Sequence, residues 1–324
     1  MHGPRETTRS DGCMAAAIAF LFPGQGSQFV GMGHALAETY PEAREAFAQA
    51  DDVLGVALSR LCFEGPEAEL TDTINAQPAI LATSIAALRV IEKHAPDARP
   101  LFAAGHSLGE FSALVAAGAI PFRDAVQLVR ERGRLMKQAG QMTPGGMAAV
   151  LNLDQDTLAG VCQEAGRATG RQVQIANDNC PGQIVISGDQ EALGKAIELA
   201  RKKGAKRAIL LPVSIAAHSH LMTPIAPSFR GNLDAVAFAP MRFPVIGNVY
   251  AGPIELNDVR DELEAQLTSP VRWTDSIRYL VAKGVTHFVE VGPKDVLAGL
   301  VRRIDENVAV MSVGDPAGVD LLLA

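Results

Sequence analysis

The sequence has few cysteines and no excess of positive charge, and each absence excludes a class of protein. Its 324 residues include four cysteines, with no close pair and no histidine nearby at metal-ligand spacing: Cys13, Cys62, Cys162 and Cys180. Scattered thiols of this kind argue against a disulfide framework or a zinc site and favour a reducing compartment. The formal net charge of −7 argues against a nucleic-acid partner, because phosphate binding needs a basic face.

A long apolar run near the N-terminus is also lacking. The run Ala15–Phe22 has eight residues, too few to span a bilayer. No small-residue cleavage site follows it, so it does not fit a signal peptide. We interpret the run as a buried first strand and predict a cytoplasmic protein with no membrane partner. Residues 1–13 are expected to form a disordered tail, with Met14 as a candidate start.

The chain is rich in apolar residues that are arranged in alternating patterns. It is 48% hydrophobic and 20% charged, which is the profile of a globular protein with a sizeable core. Strand-like runs alternate with helical patterns, and this order predicts an α/β fold with a mainly parallel sheet. The expected strands are Ile18–Phe22 and Leu101–Ala104, and the expected helices are Gln77–His94, Leu108–Ala117 and Asp124–Ala139.

The middle of the chain has a different pattern. Its expected elements follow the order β-α-β-β-α-β: Met147–Leu153, Asp156–Ala168, Val173–Ala176, Ile184–Ser187, Glu191–Lys203 and Arg207–Val213. That order is typical of a ferredoxin-like unit. We therefore predict a large, discontinuous domain of α/β-hydrolase-like type, formed by residues 14–140 and 215–324. Residues 141–214 are predicted to form an inserted small subdomain.

A candidate nucleophile lies in the segment Gly105–Gly109, which reads Gly-His-Ser-Leu-Gly and fits G-x-S-x-G. The segment is expected to join a strand to a helix, which is the context of a nucleophile elbow. Such a turn exposes the hydroxyl of Ser107, and the N–H of Leu108 then points toward a developing oxyanion. A surface serine in an ordinary turn is the alternative, and the strand-to-helix context disfavours it.

A serine hydroxyl needs a base, which is usually histidine. His106 precedes the serine in a tight turn and is expected to project away from the hydroxyl. His218 and His220 follow directly after the expected strand Arg207–Val213, where loops often carry sites. The residues themselves leave the choice between these two histidines open.

Four ordered segments carry a family resemblance: Phe22–Gln28, Gly105–Glu110, the His-x-x-Leu-Met run at His218–Met222, and Val291–Pro293. Together they resemble the malonyl-CoA:acyl-carrier-protein transacylases of fatty-acid synthesis and the related acyltransferase domains of polyketide synthases. The resemblance covers about residues 17–304. It implies transfer of a malonyl group from malonyl-CoA to the phosphopantetheine thiol of an acyl carrier protein, with no bound cofactor and no metal.

The resemblance also implies roles for the residues that perform the chemistry. Ser107 would form the acyl-enzyme. The first histidine of His-x-x-Leu-Met is the base in that family, which selects His218 over His220. The backbone N–H of Gln25 would complete the oxyanion hole together with that of Leu108. The family places no acid behind the histidine, unlike esterases, whose order is serine, acid, histidine.

Three further residues match positions that bind or orient the substrate in that family. Arg132 lies in an Arg-Gly-basic-x-Met run and would bind the malonyl carboxylate with two parallel hydrogen bonds. Gln266 would orient the histidine through its main chain, and Asn248 would lie close to the active site. Without the resemblance, a solvated helix cation is the simpler interpretation of Arg132, because Arg130 and Arg134 alternate with it.

One segment departs from the family pattern and leaves alternatives open. The residues before the base are Ile215–Ala217 (Ile-Ala-Ala), where the relatives usually have serine or phenylalanine before the histidine. Malonyl is still expected, but branched malonyl groups are not excluded. The alternatives are a trans-acting polyketide-type acyltransferase, a thioester hydrolase on the same fold, and a binding subunit without activity. Acyl transfer to water without a carrier would favour the hydrolase.

A basic cluster follows in the small subdomain: Lys195, Arg201, Lys202, Lys203, Lys206 and Arg207. It is a candidate docking site for an acidic carrier protein or for the phosphates of coenzyme A. Lys206 and Arg207 are favoured within it, because they lead into the strand before His218. The alternative is that cations at the end of a helix are stabilised by its dipole.

Overall fold

The computed structural model describes residues 17–324. The expected tail at 1–13, the candidate start Met14 and Cys13 lie outside these residues. Within them, the strands are β1 Ile18–Phe22, β2 Phe102–Gly105, β3 Gly145–Leu151, β4 Val173–Cys180, β5 Gln183–Asp189, β6 Arg207–Leu210, β7 Val245–Ile246, β8 His287–Val291 and β9 Ala309–Val313. They form a parallel sheet in the order β7-β2-β1-β8-β9 and an antiparallel sheet in the order β4-β5-β3-β6. The predicted α/β fold class is confirmed.

Helices pack around both sheets. They are α1 His34–Thr39, α2 Pro41–Leu54, α3 Leu58–Glu64, α4 Glu67–Thr71, α5 Thr73–His94, α6 Gly109–Ala116, α7 Phe122–Met142, α8 Gln155–Thr169, α9 Gln190–Lys202, α10 Ala226–Asp234, α11 Val259–Ala265, α12 Trp273–Ala282, α13 Val296–Ile304 and α14 Pro316–Leu323. Short 3-10 turns lie at His220–Ile225 and Leu256–Asp258.

Strand β1 occupies the centre of the parallel sheet because its sequence, Ile-Ala-Phe-Leu-Phe, can be buried on both faces. It pairs with β2 on one side and with β8 on the other. The register places Phe22 opposite Gly105, so β1 and β2 end side by side. The glycine-rich loop after Phe22 and the elbow after Gly105 therefore meet at the carboxyl edge of the sheet.

Helix α5 begins at Thr73, four residues before the expected start at Gln77. The side chain of Asp72 accepts a hydrogen bond from the N–H of Ile74 and caps the added turn. Pro78 is tolerated inside the helix, although proline usually interrupts one. By length and composition α5 could cross a membrane, but 83% of its most apolar stretch is buried inside the protein. Its apolar surface belongs to the core.

Helix α7 extends beyond the expected Asp124–Ala139 by two residues at its start and three at its end. Its buried face carries Arg132 among apolar neighbours. A Cβ atom at Gly133 would collide with the backbone of Thr73, so glycine lets α7 approach the start of α5 closely. This close packing positions Arg132 deep between the two helices.

The small sheet follows the expected order of a ferredoxin-like unit, β3-α8-β4-β5-α9-β6. Strand β6 ends at Leu210, whereas the sequence pattern predicted a strand to Val213. Strand β4 also bonds outside its own sheet: the N–H of Asp178 donates to the carbonyl of Val271 (2.9 Å), and the N–H of Val271 donates to Ala176 (2.9 Å). The division at residues 140 and 214 stays a prediction.

Candidate active site

Ser107 occupies a strained turn between β2 and α6, with φ +51°. Few residues other than glycine adopt this left-handed conformation, and they occur mostly where function requires it. A Cβ at Gly105 would overlap the backbone of Gly109, and one at Gly109 would overlap the carbonyl of Phe22. Only glycine fits at both positions. The close approach of strand and helix leaves the serine at the tip of the turn.

The hydroxyl of Ser107 lies against His218, with Oγ and Nε2 2.8 Å apart. Nδ1 of the same ring lies 2.8 Å from the carbonyl oxygen of Gln266. A carbonyl can only accept, so Nδ1 carries the hydrogen and Nε2 is free to accept the serine proton. His218 also has a positive φ, +56°. Ser107 and His218 are thus both held in uncommon backbone conformations.

The other two candidate histidines have different contacts. His106 Nε2 lies 2.8 Å from Asn179 Oδ1, and the ring packs edge-on against Trp273. His220 begins a 3-10 turn, and its N–H donates to Gln174 Oε1 (3.3 Å). The geometry therefore brings His218, and not His220, to the serine.

Arg132 is 2% exposed and makes its hydrogen bonds to neutral partners. Its Nη1 donates to Gln77 Oε1 (2.9 Å), and its Nη2 donates to Gln266 Oε1 (2.8 Å) and to Ser107 Oγ (3.2 Å). Among residues 17–324 it forms no ion pair, and its buried Nε has no partner. Burial lowers the pKa of Arg132 to about 10, so the group is cationic at neutral pH. The site holds a buried positive charge that no carboxylate contacts.

The pKa of His218 is lowered to about 3, first by burial and then by the positive charge of Arg132 and by His106. Burial disfavours the imidazolium because the charged ring would lose its hydration. His218 is therefore neutral at physiological pH, which is the form that can accept a proton.

Asn248 and Gln266 hydrogen-bond the backbone of the elbow. Asn248 accepts the N–H of Ser107 through Oδ1 (2.7 Å) and donates through Nδ2 to the carbonyl of Gly105 (2.7 Å). Gln266 donates through Nε2 to the carbonyl of Ser107 (3.0 Å) and to Glu110 Oε2 (2.7 Å). Both side chains are buried. They hydrogen-bond the backbone around Ser107 and do not contact its hydroxyl.

Two backbone N–H groups, one on the elbow and one on the loop beside it, lack a partner among the described residues. Those of Leu108 and Gln25 make no hydrogen bond within the described part of the chain, whereas that of Ser107 is taken by Asn248. A Cβ at Gly24 would overlap the carbonyl of His106, so the loop of Gln25 packs directly against the elbow. Two unpaired donors on adjoining loops form the type of pair that stabilises an oxyanion.

The segment Val291–Pro293 packs against the loop that carries Gln25. Gly292 has φ +140°, and a Cβ there would collide with Ser84 and press on Pro23. The segment thus contributes packing under the Gln25 loop and no reactive group.

Residues that the sequence patterns did not single out complete the site. Thr73 and Gln77 lie one turn apart on α5, bond to each other, and contact Gln25 and Arg132 respectively. Two polar residues at this spacing on the buried side of a mostly apolar helix are a signal that could have identified them. Glu110 is fully buried, and its pKa is raised well above the ordinary range, first by burial and then by the nearby Glu262.

The basic cluster lies at α9 and the start of β6 in the small subdomain, and all of its members except the half-buried Lys195 are exposed. Lys195 and Lys202 pair with Glu198 of their own helix, and Arg201 donates to the carbonyl of Ala208. Within residues 17–324, no ion pair is formed by the other four members, Arg201, Lys203, Lys206 and Arg207. In the same residues, no group of three or more His, Cys, Asp and Glu side chains could hold a metal ion, and Cys62, Cys162 and Cys180 are free and buried.

Comparison with known proteins agrees with the motifs. The family described as acyl transferase domain matches residues 19–315. A malonyl CoA-acyl carrier protein transacylase of Bacillus subtilis is 49% identical over 94% of this chain and 96% of its own length. The protein of that name from Escherichia coli strain K12 is 44% identical over 93% and 97%.

Solved structures give the same result. An acyl carrier protein S-malonyltransferase from Vibrio cholerae has a TM-score of 0.91 and 42% identity, covering 95% of this chain and 100% of that one. A type II PKS acyl-carrier protein in complex with its malonyl-transacylase has a TM-score of 0.91 and 40% identity, covering 95% and 99%. The resemblance drawn from the four segments is confirmed. The chain belongs to the acyl transferase family and, within it, to the malonyl CoA-acyl carrier protein transacylases.

Proposed function

We propose that the chain transfers a malonyl group from malonyl-CoA to the phosphopantetheine thiol of an acyl carrier protein through an ester on Ser107. The observation that carries the proposal is Arg132, a buried guanidinium 3.2 Å from the nucleophile that contacts no carboxylate. A buried charge is costly unless it is paired, and the malonyl carboxylate supplies that partner. The names of the relatives support the same substrate.

The acylation step uses His218 first as a base and then as an acid. Nε2 takes the proton of Ser107 Oγ as the oxygen attacks the thioester carbonyl. The oxyanion that forms accepts hydrogen bonds from the N–H groups of Leu108 and Gln25. When the C–S bond breaks, the imidazolium returns its proton to the sulfur, and coenzyme A leaves as the thiol.

The second step reverses these roles. The thiol of the carrier's phosphopantetheine gives its proton to His218, and the thiolate attacks the ester on Ser107. The same two N–H groups stabilise the second oxyanion. The C–O bond then breaks, and the proton passes from His218 to the serine oxygen, which restores the enzyme.

The size of the malonyl group fits the distance between Arg132 and Ser107. A single methylene separates its two carbonyl carbons, so a carboxylate bound at the guanidinium leaves the thioester carbon beside Oγ. Both oxygens can be bound by the planar fork of an arginine. An acetyl group has no carboxylate and would leave the guanidinium unpaired, which provides discrimination against it.

Partner and location belong to the same proposal. Lys206 and Arg207 are exposed cations without an ion pair among the described residues, as expected if an acidic carrier protein or the phosphates of coenzyme A dock there. A place in fatty-acid synthesis and a cytoplasmic location are inferred, and the free buried cysteines suit a reducing compartment.

A second candidate is a trans-acting acyltransferase of polyketide synthesis. It is favoured by the structural similarity to a malonyl-transacylase in complex with a type II PKS acyl-carrier protein. Its chemistry would be identical, and only the carrier would differ. Rates measured with purified carriers of the two pathways separate these candidates.

Intact mass spectrometry tests the central proposal. The protein is mixed separately with malonyl-, methylmalonyl- and acetyl-CoA, with Ser107→Ala as the control. We expect a malonyl adduct on the wild type, none on the variant, and transfer of the adduct to added carrier. An adduct of equal yield on Ser107→Ala would exclude the proposed nucleophile, and loss of the adduct to water as fast as to carrier would identify a hydrolase.

A further inference from the structure

The side chain of Gln174, on β4 of the small sheet, bonds to both loops that hold the base. Its Nε2 donates to the carbonyl of His218 (3.1 Å) and to the carbonyl of Thr268 (3.0 Å). Its Oε1 accepts the N–H of His220 (3.3 Å). Carbonyls only accept and an N–H only donates, so these three partners together fix the orientation of the amide.

Each of the two loops needs such support. His218 has φ +56°, a strained conformation that persists only where the surroundings hold it. The second loop carries Gln266, whose carbonyl holds Nδ1 of His218 and so fixes its tautomer. Thr268 lies two residues after that carbonyl. One amide therefore connects the backbone of the base to the loop that orients its ring.

Strand β4, which carries Gln174, is itself held by backbone hydrogen bonds to two other segments. The strand pairs along its length with β5. Its far end is joined to Val271 by two backbone hydrogen bonds, through Ala176 and Asp178. A side chain on a strand held at both ends positions its partners more accurately than one on a loop.

We propose that Gln174 is a positioning residue for the reaction: it clamps the His218 loop to the Gln266 loop and thereby sets the distance from His218 Nε2 to Ser107 Oγ. It does not contact the substrate. The inference rests on the proposed Ser107–His218 chemistry, and it assigns a step of that chemistry to the small sheet.

The first test replaces Gln174 by methionine, which has a similar length and makes none of the three hydrogen bonds. Small displacements of a catalytic group can cost ~100-fold in rate, so we expect kcat to fall about 10- to 100-fold. The KM for malonyl-CoA should change less than about threefold, because no contact of Arg132 involves this residue. The control is Gln172→Met, an exposed glutamine just before the same strand. Equal kcat values for the two variants would overturn the proposal.

A second variant keeps the test valid if Gln174→Met fails to fold. In Gln174→Glu one carboxylate oxygen still accepts the N–H of His220, but the other faces two carbonyls and can donate only when it is protonated. The ratio of its kcat to that of the wild type should rise as the pH falls from about 8 to about 5. His218 and His220 are present in both proteins, so the wild type measured over the same pH range is the reference for their contribution. A ratio that does not change with pH would overturn the proposal.

Ser107→Ala, measured in the same assay, separates this inference from the proposed function. Activity retained by Ser107→Ala would exclude the Ser107–His218 chemistry itself. If Ser107→Ala is inactive while Gln174→Met matches Gln172→Met in kcat and pH profile, the positioning role alone is excluded. A low kcat for Gln174→Met with normal thermal unfolding, beside an inactive Ser107→Ala, supports the role.

Discussion

The buried site and the basic cluster on the small sheet use charged residues in opposite ways. Arg132 and His218 are 2% and 3% exposed, and their partners come from distant parts of the chain. The exposed Lys202 and the half-exposed Lys195 both lie on α9 and are paired with Glu198 of the same helix. A buried polar group can be hydrogen-bonded only by residues that the fold brings next to it. An exposed polar group can be hydrogen-bonded by water or by neighbours on the same helix.

Because of this difference, a substitution in the buried site should cost more free energy than one in the basic cluster. Removing one partner from a buried polar network leaves another group desolvated and unpaired, while an exposed ion pair contributes about 0–1 kcal/mol. Variants of the buried site should therefore have large and specific effects, and those of the cluster small and salt-dependent ones. The following predictions test that contrast.

The largest effect is expected from the base. His218→Ala should lower kcat/KM for malonyl-CoA by about 10²–10⁴-fold, because the serine then loses its proton acceptor. His220→Ala should stay within about threefold of the wild type, since the ring of His220 does not contact the serine hydroxyl. Single-turnover acylation of the two variants makes the comparison. Similar losses in both would show that proximity to Ser107 does not identify the base.

The next largest effect is expected from Arg132. Arg132→Ala leaves the malonyl carboxylate unpaired, and such losses cost about 2–5 kcal/mol. The kcat/KM for malonyl-CoA should fall roughly 30-fold to a few thousand-fold, while that for acetyl-CoA should change little.

The variant Arg132→Lys serves as the control, and it should restore activity only in part because an ammonium lacks the planar fork. The ratio of the two kcat/KM values, malonyl over acetyl, decides the question. If both substrates lose the same factor, Arg132 supports the structure and the carboxylate binds elsewhere.

A pH effect is expected because the buried positive charge of Arg132 lowers the pKa of His218. The positive charge of Arg132 helps to hold the pKa of His218 low, at about 3 in the free protein. A bound malonyl carboxylate neutralises that charge and favours the imidazolium, so the pKa of His218 should rise in the complex. Because kcat reports the complex and kcat/KM the free enzyme, the acid limb of kcat should lie at higher pH. Coincident limbs would contradict the coupling.

The smallest effect is expected from the cluster. Lys206→Glu and Arg207→Glu should each raise the KM for the carrier by about 3- to 10-fold at low salt and flatten its salt dependence. Lys202→Glu reverses the same charge at a residue already paired with Glu198, and it should change the KM less. Identical carrier kinetics in all three variants at low salt would exclude docking at this surface.

The sequence predicts those parts of the site that depend on local pattern. The elbow of Ser107 can be identified because a strand, a glycine-flanked serine and a helix are consecutive. Arg132 could be assigned a role only through the family resemblance, since nothing local distinguishes it from Arg130 or Arg134. The choice of His218 over His220 also came from the resemblance, and the 2.8 Å contact with Ser107 agrees with it.

What the sequence did not predict depends on packing between distant segments. Glu110 and Gln174 acquire their contacts only when α6 and β4 meet the loops of residues 218 and 266, and Gln77 does so only when α5 packs against α7. The sequence pattern places the start of α5 too late because the first turn depends on the Asp72 cap and precedes Pro78. The early end of β6 reflects pairing with β3, which reaches only as far as Leu210.

The central place of β1 has a consequence for synthesis on the ribosome. Ile18 pairs with His287 of β8, and the chain between them takes roughly 15–55 s to translate at ~5–20 residues per second. One edge of an entirely apolar strand therefore stays unpaired for that time, although β2 is available much earlier. Exposed strand edges of this kind promote aggregation. The nascent chain should depend on chaperones that cover β1 until β8 emerges, and heterologous expression should improve when translation is fast or such chaperones are abundant.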